Sequence, residues 1–316
     1  MSYRTRIAPS PTGEFHVGSA RTAYFNWLAA KATGGSFLLR VDDTDEARNT
    51  PENVQVIFDS MAWLGLDHDL VMYQSKQTAT YYKNVQILMA AGFAEVAPTG
   101  EVRLTLHKTY TKHFKLPTSW TDSIAGEVPI TEADLKIIDG MVLCRADGSF
   151  LYNFCSVVDD LEKYINYVIR GVDHMSNTSK QEVLRQMLLD AHRCANLSYG
   201  YEPVLKYTHL GLMTLNKKKI SKREPSHAPF ASISSYIEQD IIPDAMLNYL
   251  LRMGWGPKQD DKTTTIITKE RALELFLDGG SMKNSPAELD PAKLSAYNRK
   301  YAAMYGFNKG HETVAK

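Results

Sequence analysis

The sequence is poor in cysteine and lacks any long apolar run. Its three cysteines, Cys144, Cys155 and Cys194, are odd in number, and no two stand at Cys-x-x-Cys spacing. This argues against a disulfide framework and a zinc knuckle and favours reduced thiols. No apolar run approaches the roughly 20 residues of a membrane-spanning helix, and the polar N-terminus is unlike a signal peptide. We therefore expect a cytoplasmic protein without a membrane partner.

The chain also lacks a net charge, because Lys plus Arg and Asp plus Glu both number 36 among its 316 residues. If it binds a nucleic acid, it must use a local basic face rather than act as a bulk polycation. The composition, with 44% hydrophobic and 23% charged residues, excludes wholesale disorder. The length indicates one large α/β domain with appended pieces, or two domains.

The first 45 residues carry the pattern of a strand, a helix and a second strand. Strands are predicted over 4–8 and 36–41, and a helix over 19–33 with Ser19 as its N-cap. One face of this helix collects apolar side chains, namely Ala20, Ala23, Tyr24, Trp27 and Leu28. A unit of this kind implies a parallel sheet, whose ligands bind at the carboxyl ends of the strands.

The Pro9–Ser19 turn, between the first strand and this helix, is the strongest local motif. A helix N-terminus offers phosphate a set of unpaired N–H groups and a favourable dipole. Gly18 would allow a ligand close to the backbone, and the His16 imidazole could touch that ligand. An ordinary capped helix after a turn explains the same residues equally well.

The segment from Asn216 to Arg223 places five cations within eight residues. Such a run is usually a solvated loop. A lysine loop opposite a helix N-terminus could instead close over a nucleotide and neutralise the charge that develops on departing pyrophosphate.

Charged residues also follow two of the predicted strands. The acidic cluster 42–45 could cap the local backbone in solvent, or one of its carboxylates could bind a substrate ammonium group. Arg170 ends a predicted buried strand and needs an anion, which could be Asp160, Asp173 or a substrate carboxylate.

The remaining pattern places further elements along the chain. Helices are predicted over 51–65, 79–91, 179–191, 233–238, 245–253 and 269–276, strands over 164–170 and 204–215, and a strand leading into a helix over 150–158. Residues 93–145 lose the strict alternation and are interpreted as an insertion that leaves the main sheet. The basic and aromatic residues 107–115 suit phosphate contact and base stacking, or a solvated loop.

Several motifs, in their order and spacing, resemble those of the glutamyl-tRNA synthetases, a family of class I aminoacyl-tRNA synthetases. Residues 4–13 with 16–19 resemble the first family motif, of the HIGH type, and 219–223 resemble the second, of the KMSKS type. The other similar segments follow in family order, at 25–28, 39–45, 152–160, 168–178 and 243–255. The resemblance covers roughly residues 3–300.

The resemblance implies an α/β fold in three parts. A Rossmann-type parallel-sheet catalytic domain would span 1–92 and 146–215, interrupted by a short α/β insertion at 93–145 that binds the acceptor end of RNA. Residues 216–316 would form the KMSKS-type loop and a C-terminal helical domain that is similar to a stem-contact domain.

The implied activity is ATP-dependent activation of L-glutamate to glutamyl-adenylate, followed by transfer to the 3′ end of a tRNA or tRNA-like acceptor. Mg²⁺ would be carried with ATP, and no zinc or other protein-bound metal is expected. The catalytic residues carried over are His16, Gly18, Lys219 and Lys222. Those implied for ATP binding are Pro9, Ser10, Thr12, Gly13, His16, Gly18, Ser19, Ser221 and Lys222.

The same carry-over implies a glutamate pocket. Its residues are Arg6, Ala8, Ser10, Asp42, Tyr152, Ser156, Arg170 and Asp173. In this pocket Arg170 would read the side-chain carboxylate and Asp42 would hold the ammonium group, and the cation at Arg170 would favour glutamate over glutamine. The tRNA acceptor arm would meet three lysines of the insertion, Lys108, Lys112 and Lys115.

This sequence departs from the family pattern in several places. Asp42 stands where Glu is frequent, Ser156 stands where a longer polar residue is common, and the insertion lacks a zinc-binding cysteine cluster. No anticodon-binding domain is expected before the chain ends at Lys316. We therefore expect recognition through the acceptor arm alone, a protein partner that supplies anticodon recognition, or glutamylation of a modified tRNA base.

A non-catalytic synthetase-like protein that binds RNA or protein is the second class of hypothesis. The intact His16, Gly18, Lys219 and Lys222 favour the enzyme, because a drifting binding module has no need of groups that stabilise a transition state.

Overall fold

The computed structural model describes residues 2–44, 49–106, 110–199, 205–220, 224–256, 266–277 and 281–306. Its helices, in chain order, are α1 (Val17–Ala32), α2 (Pro51–Trp63), α3 (Thr78–Ala90), α4 (Thr111–His113), α5 (Glu132–Ile138), α6 (Tyr152–Glu162), α7 (Met175–Cys194), α8 (Ala228–Ala231), α9 (Ile233–Glu238), α10 (Pro243–Arg252), α11 (Lys269–Leu277) and α12 (Pro291–Met304). No helix within these ranges has the length and apolarity needed to cross a bilayer.

The strands are short and spread along the chain. They are β1 (Arg4–Ile7), β2 (Ser36–Val41), β3 (Leu70–Tyr73), β4 (Ala94–Val96), β5 (Val102–Leu104), β6 (Ser119–Asp122), β7 (Gly126–Pro129), β8 (Val142–Cys144), β9 (Tyr167–Gly171), β10 (Lys206–Leu210), β11 (Met213–Leu215), β12 (Lys218–Lys219), β13 (Trp255–Gly256), β14 (Ser281–Met282) and β15 (Ala287–Glu288). The chain divides into a first compact unit, Met1–Met72 with Tyr167–Val172 and Thr208–Lys316, and a second, Tyr73–Asn166 with Asp173–Tyr207. The predicted three-part division stays a prediction.

The first unit is built on a strand–helix–strand unit. β1 and β2 pair in parallel, from Arg4 opposite Ser36 to Ile7 opposite Leu39, and α1 is the crossover between them. β2 lies between β1 and β3 in the sheet. The predicted α/β fold with a Rossmann-type parallel sheet is confirmed.

Helix α1 is buried around most of its surface, including the predicted apolar face. Its buried residues are Val17, Ala20, Arg21, Ala23, Tyr24, Phe25, Asn26, Trp27, Leu28, Ala29 and Ala30. The helix packs against β1, β2 and β9 and also against α10 and α11. The five residues of the predicted apolar face are all buried, and helices distant in sequence cover the face that is turned away from the sheet.

Two polar side chains lie inside this packing and use backbone carbonyls as partners. The Arg21 guanidinium, 3% exposed, donates from Nη1 to the Met253 carbonyl at 2.8 Å and from Nη2 to the Gly211 carbonyl. Burial lowers the pKa of Arg21 to about 10. The Asn26 amide donates to the Ile169 carbonyl of β9 at 2.9 Å. These bonds satisfy the terminal nitrogens of both side chains, which would be costly to bury alone, while the Arg21 Nε and Asn26 Oδ1 atoms are buried with no hydrogen-bond partner among the described residues.

The C-terminal part of the first unit is mainly helical. The helices predicted over 233–238, 245–253 and 269–276 are present as α9, α10 and α11. Helix α12 was missed, although Asp290 caps it by accepting from the Lys293 N–H at 3.1 Å and Pro291 occupies its first turn. This is the sequence signal of a helix start, and it could have been used.

The second unit holds helices α3, α4, α5, α6 and α7 and two small groups of strands. β4, β5 and β8 form an antiparallel sheet, and β6 and β7 form an antiparallel hairpin. The strand expected before α6 is reduced to a single bridge between Cys144 and Phe150, so that Tyr152 begins a helix instead of following a strand.

The basic and aromatic run 107–115 is only partly an exposed surface. Tyr110 is fully buried, donates to the Asp190 carboxylate at 2.5 Å and packs with Phe114 against Phe93. The base-stacking interpretation was therefore wrong for these aromatics, because a spacing of four residues puts both rings on one side of a helical turn. Lys108 lies outside the described residues.

A buried network in the second unit contains His192, which is 5% exposed. Its Nε2 atom lies 2.9 Å from the Asn84 Oδ1 atom and 3.0 Å from the Tyr199 hydroxyl, and its ring stacks on that of Tyr199. Burial, with a smaller contribution from the charge of Lys83, lowers the pKa of His192. The folded protein therefore favours the neutral ring more than the unfolded chain does.

Acid should consequently destabilise the protein through His192. Below the ordinary histidine pKa of about 6.5, the unfolded chain binds a proton that the folded state resists, so stability falls as pH falls. We expect the melting temperature of His192→Gln to decline less steeply than that of the wild type between about pH 7 and pH 5. Exposed His113→Gln is the matched control and should keep the wild-type slope. Parallel slopes for His192→Gln and the wild type would contradict the assignment.

Candidate active site

The turn between β1 and α1 is capped by a histidine. The extended His16 precedes α1, and its Nδ1 atom accepts from the Gly18 N–H at 3.0 Å. The prediction of Ser19 as N-cap was wrong, because a ring nitrogen can satisfy a first-turn N–H as a hydroxyl does. Gly18 permits this approach, since an added Cβ would lie 3.2 Å from the ring nitrogen. In the neutral ring the proton is then on Nε2, which is a donor.

An open cleft of about 410 Å³ in the first unit brings this turn together with the start of the lysine loop. Its lining residues are Pro9, Ser10, Thr12, Glu14, Phe15, His16, Ser19, Ile57, Lys219 and Ile220. Five of the predicted ATP-binding residues therefore share one cleft with the predicted catalytic Lys219. Of the other predicted residues, Gly13 has a positive φ of 108°, and Ser221 and Lys222 lie outside the described residues.

The carboxyl ends of β1 and β2 carry two buried arginines and the predicted ammonium ligand. Arg6 is 4% exposed and Arg40 is 1% exposed. Arg6 faces Leu38 across the parallel pair, so that Arg6 and Arg40 project from the same face of the sheet. Arg40 pairs with Asp42 through Nε–Oδ1 at 2.6 Å and Nη2–Oδ2 at 3.2 Å. The Asp42 carboxylate therefore already shares its charge with a buried guanidinium, which the sequence motif did not reveal.

The Asp42 backbone is also fixed. Its N–H donates to the Pro9 carbonyl at 3.0 Å, which ties the loop after β2 to the turn after β1. Ala8 lies between β1 and Pro9 and is half-buried. The predicted residues Ala8, Ser10 and Asp42 are thus held at neighbouring strand ends.

Arg170 occupies the fourth position of β9 and is 6% exposed. Its Nε atom donates to the Nε2 atom of His209 at 3.2 Å. His209, 1% exposed, lies in the β10 strand. Sequence reasoning missed His209, because one histidine within an apolar strand signals only burial.

The other predicted site residues lie in the second unit. Tyr152 is 40% exposed at the start of α6, with its hydroxyl 3.5 Å from the Nδ1 atom of His174. Ser156 is buried one helical turn further on, and Asp173 is exposed in the short 3₁₀ turn Val172–His174. The predicted RNA-binding lysines Lys112 and Lys115 are both exposed.

The start of the lysine loop is a tight hairpin. β11 and β12 pair antiparallel, with Thr214 opposite Lys219, across a two-residue turn in which Asn216 and Lys217 have φ of 52° and 63°. Such a turn suits the twist of a hairpin but is unfavourable for a lysine.

The Glu288 carboxylate holds this hairpin turn. It accepts from the Lys217 N–H at 3.1 and 3.3 Å and from the Thr214 hydroxyl. These hydrogen bonds, that from Thr214 first, lower the pKa of Glu288. β15, which carries Glu288, also pairs in parallel with β11. Because Glu288 lies about seventy positions from the loop, no local motif could identify it.

The described part of the chain contains no clustered metal site, and its three cysteines are free. There, no group of three or more His, Cys, Asp or Glu side chains is arranged to hold a metal ion. Cys144 and Cys155 are buried and Cys194 is exposed, all as free cysteines.

The family model for the catalytic domain of class I tRNA synthetases, of the E and Q type, matches residues 2–115 and 108–294. The chain therefore belongs to the class I aminoacyl-tRNA synthetases, in the branch that this model describes.

Curated relatives are similar along nearly the whole chain. A glutamate–tRNA ligase of Neisseria gonorrhoeae is 36% identical, over 99% of this chain and 71% of the relative. A glutamate–tRNA ligase of an Azoarcus species is 35% identical, over 94% of this chain and 67% of the relative.

Solved structures share the fold. A glutamate tRNA ligase from Elizabethkingia meningosepticum in complex with its amino acid gives a TM-score of 0.74 at 24% identity, over 96% of this chain and 70% of that chain. A methionyl-tRNA synthetase from Mycobacterium tuberculosis gives a TM-score of 0.57 at 9% identity, over 93% of this chain and 67% of that chain. These identities support the fold alone.

The role of Glu288 is open to a direct measurement. We expect Glu288→Gln to accelerate amide hydrogen exchange several-fold in a peptide covering residues 213–220, because an amide accepts less strongly than a carboxylate. Glu274→Gln is the control, since Glu274 pairs only across α11 with the exposed Arg271 in the contacts described and should leave this peptide unchanged. Equal exchange in wild type and Glu288→Gln would show that the turn does not depend on the carboxylate.

Proposed function

We propose that this chain activates L-glutamate with ATP, forming glutamyl-adenylate and pyrophosphate, and then transfers the glutamyl group to the 3′ end of a tRNA or tRNA-like acceptor. The observation that carries the proposal is the cleft shared by the His16 turn and Lys219. Membership of the class I synthetases and similarity to glutamate–tRNA ligases over nearly the whole chain support it.

ATP would lie in the cleft with its phosphates towards the start of α1. The His16 Nε2–H and the N-terminal dipole of α1 would face the phosphate oxygens. The glutamate carboxylate attacks the α-phosphorus in line, and the bond from that phosphorus to the pyrophosphate oxygen breaks. Lys219, with Lys222 as the sequence implies, would neutralise charge on the departing pyrophosphate.

Mg²⁺ generally accompanies ATP in this class of enzyme. It would be brought on the nucleotide's phosphates, because Mg²⁺ keeps several water ligands and seldom needs a protein cage. The cleft, at about 410 Å³, has the size of an ordinary small-molecule site.

Glutamate would be read by buried guanidinium groups. Arg170 would bind the side-chain carboxylate and Arg6 the α-carboxylate, since both guanidinium groups are buried and a guanidinium matches a carboxylate with a two-pronged contact. Asp42 would contact the ammonium group while remaining paired with Arg40. Glutamine would present a neutral amide where the guanidinium is matched by a carboxylate, which is the physical basis for preferring glutamate.

The acceptor would be the 3′ end of tRNA, with the exposed Lys112 and Lys115 near its phosphates. Tyr152, Ser156 and Asp173 stay predicted glutamate-binding residues. A cytoplasmic location and a protein partner that reads the anticodon also stay predictions.

The activity can be tested by exchange of radiolabelled pyrophosphate into ATP. We expect glutamate-dependent exchange, measured with and without total tRNA because the requirement for tRNA is a separate question. Glutamine should support far less exchange. If protein that binds ATP shows no exchange under either condition, the proposed activity is wrong.

Lys219 should affect the chemical step. Because its ammonium group would stabilise charge on pyrophosphate only as that charge develops, Lys219→Ala should lower the exchange kcat by about 10²–10³ while changing the KM for glutamate little. Lys218→Ala is the matched control, since Lys218 is the exposed neighbour in the same hairpin and lies outside the cleft lining. Equal losses in both variants would indicate general hairpin damage.

Removal of the Arg170 side chain should weaken the binding of glutamate far more than the binding of ATP. Arg170→Ala removes a buried charge-assisted contact, so the KM for glutamate should rise by about 10²-fold or more while ATP binding stays close to wild type. Calorimetric ATP titration and exchange kinetics would measure the two quantities separately. Equal loss of both would mean that the glutamate pocket is misassigned.

A further inference from the structure

The lysine hairpin is too short to fix the position of Lys219 by its own two strands. β12 contains two residues, and the turn that joins it to β11 holds Lys217 at a positive φ of 63°. A two-stranded hairpin is only marginally stable in water by itself, and a left-handed φ is unfavourable for a lysine. The place of Lys219 in the cleft therefore depends on support from another part of the fold.

The third strand of the same sheet supplies this support. In the strand order β12–β11–β15, Lys219 lies opposite Thr214, and Thr214 lies opposite Glu288. Residues in register on neighbouring strands project from the same face of a sheet, so these three side chains share one face. Met213 and Leu215, which alternate with Thr214, are buried in the apolar core, and the shared face is turned away from that core.

The Glu288 carboxylate joins the two sides of the hairpin turn. It accepts from the Thr214 hydroxyl, which precedes the turn, and from the Lys217 N–H, which leads into β12. Hydrogen bonds to an ionised acceptor are stronger than those between neutral groups. One carboxylate thus fixes the spacing between the start of the hairpin and the strand that carries Lys219.

The backbone of β15 is itself anchored next to Glu288. The Leu289 N–H donates to the Thr214 carbonyl at 2.7 Å, and the Asp290 N–H donates to the Tyr249 hydroxyl at 2.6 Å. Tyr249 belongs to α10 and is 1% exposed. The carboxylate is therefore presented to the hairpin from a fixed strand.

We propose that Glu288 and Thr214 are positioning residues, which hold the lysine hairpin so that the Lys219 ammonium group is already in the cleft when pyrophosphate departs. This rests on the proposed function, in which Lys219 neutralises the charge on pyrophosphate. A preorganised charge stabilises a transition state more than a mobile one, because it needs no reorganisation at the moment of reaction. A displacement of about 1 Å can lower a rate by about 10²-fold.

The experiment measures glutamate-dependent pyrophosphate exchange, with thermal unfolding alongside. Glu288→Ala should lower the exchange kcat about 10-fold and leave the KM for glutamate within about twofold of wild type. Glu288→Gln keeps one acceptor oxygen and should recover part of this loss. Thr214→Val leaves the carboxylate charged but removes the hydroxyl, so it should lower kcat about threefold, and Thr214→Ser should restore it. Glu274→Ala, which removes an exposed carboxylate of α11, is the control and should keep the wild-type kcat.

A double-mutant cycle shows whether Glu288 acts through the lysine. Once Lys219 is replaced by alanine, no ammonium group is left at that position to be placed in the cleft. The double variant Lys219→Ala, Glu288→Ala should therefore have a kcat within about twofold of Lys219→Ala alone. A general structural loss would instead lower kcat again by the full factor seen in Glu288→Ala.

The outcomes separate the positioning role from the proposed function. An active wild type overturns the positioning role alone if Glu288→Ala keeps or raises its kcat, or if its loss adds to that of Lys219→Ala. If Thr214→Val matches wild type while Glu288→Gln is as slow as Glu288→Ala, the charge acts without the hydroxyl, and the role of Thr214 is wrong. If Glu288→Ala does not fold, Glu288→Gln and Thr214→Val decide the matter. A folded wild type that binds ATP without glutamate-dependent exchange overturns the proposed function and the positioning role with it.

Discussion

The first unit depends on the burial of α1 with a charged side chain inside it. A guanidinium removed from water costs several kcal/mol unless its N–H groups are hydrogen-bonded. Arg21 therefore needs the carbonyls of Met253 and Gly211, which lie 232 and 190 residues further along the chain. Its bonds require the end of α10 and the approach to β11 to lie against α1, so that one buried cation ties together segments that are distant in sequence.

The packing of Gly211 against α1 also positions the candidate site. Gly211 lies two residues before β11, which is the first strand of the lysine hairpin. A side chain at Gly211 would overlap the Ser285 carbonyl, so glycine allows the strand to pass between α1 and the 284–285 backbone. His16 caps the same helix at its N-terminus. The cleft between the turn and Lys219 is thus a consequence of how α1 is packed and capped, and Glu288 fixes the hairpin turn beside it.

Local signals were enough to predict the strand–helix–strand opening, most later helices and the class of fold. Local signals failed where two nearby residues could both cap the same helix. They also failed where residues distant in sequence determine whether a side chain is buried. The cap of α1 is the first case, because His16 and Ser19 are both able to accept from a first-turn N–H. Tyr110 is the second case, since a basic and aromatic run looks solvated until Phe93 and Asp190 cover its ring. Helix α12 was missed although its Asp290–Pro291 start signal was present.

By itself, the sequence determined the order of the elements, the two motifs of a class I synthetase and the identity of the charged groups proposed to act. These follow from hydrophobic period, turn chemistry and residue type, which are properties of short segments. Only the tertiary structure decided which of these groups lie together. It pairs Asp42 with Arg40, places the Arg170 guanidinium against His209, and brings Lys219 and the His16 turn into one cleft. The physical reason is that desolvation forces each buried charge to find a partner, and that partner is chosen by proximity in the fold and not by position along the chain.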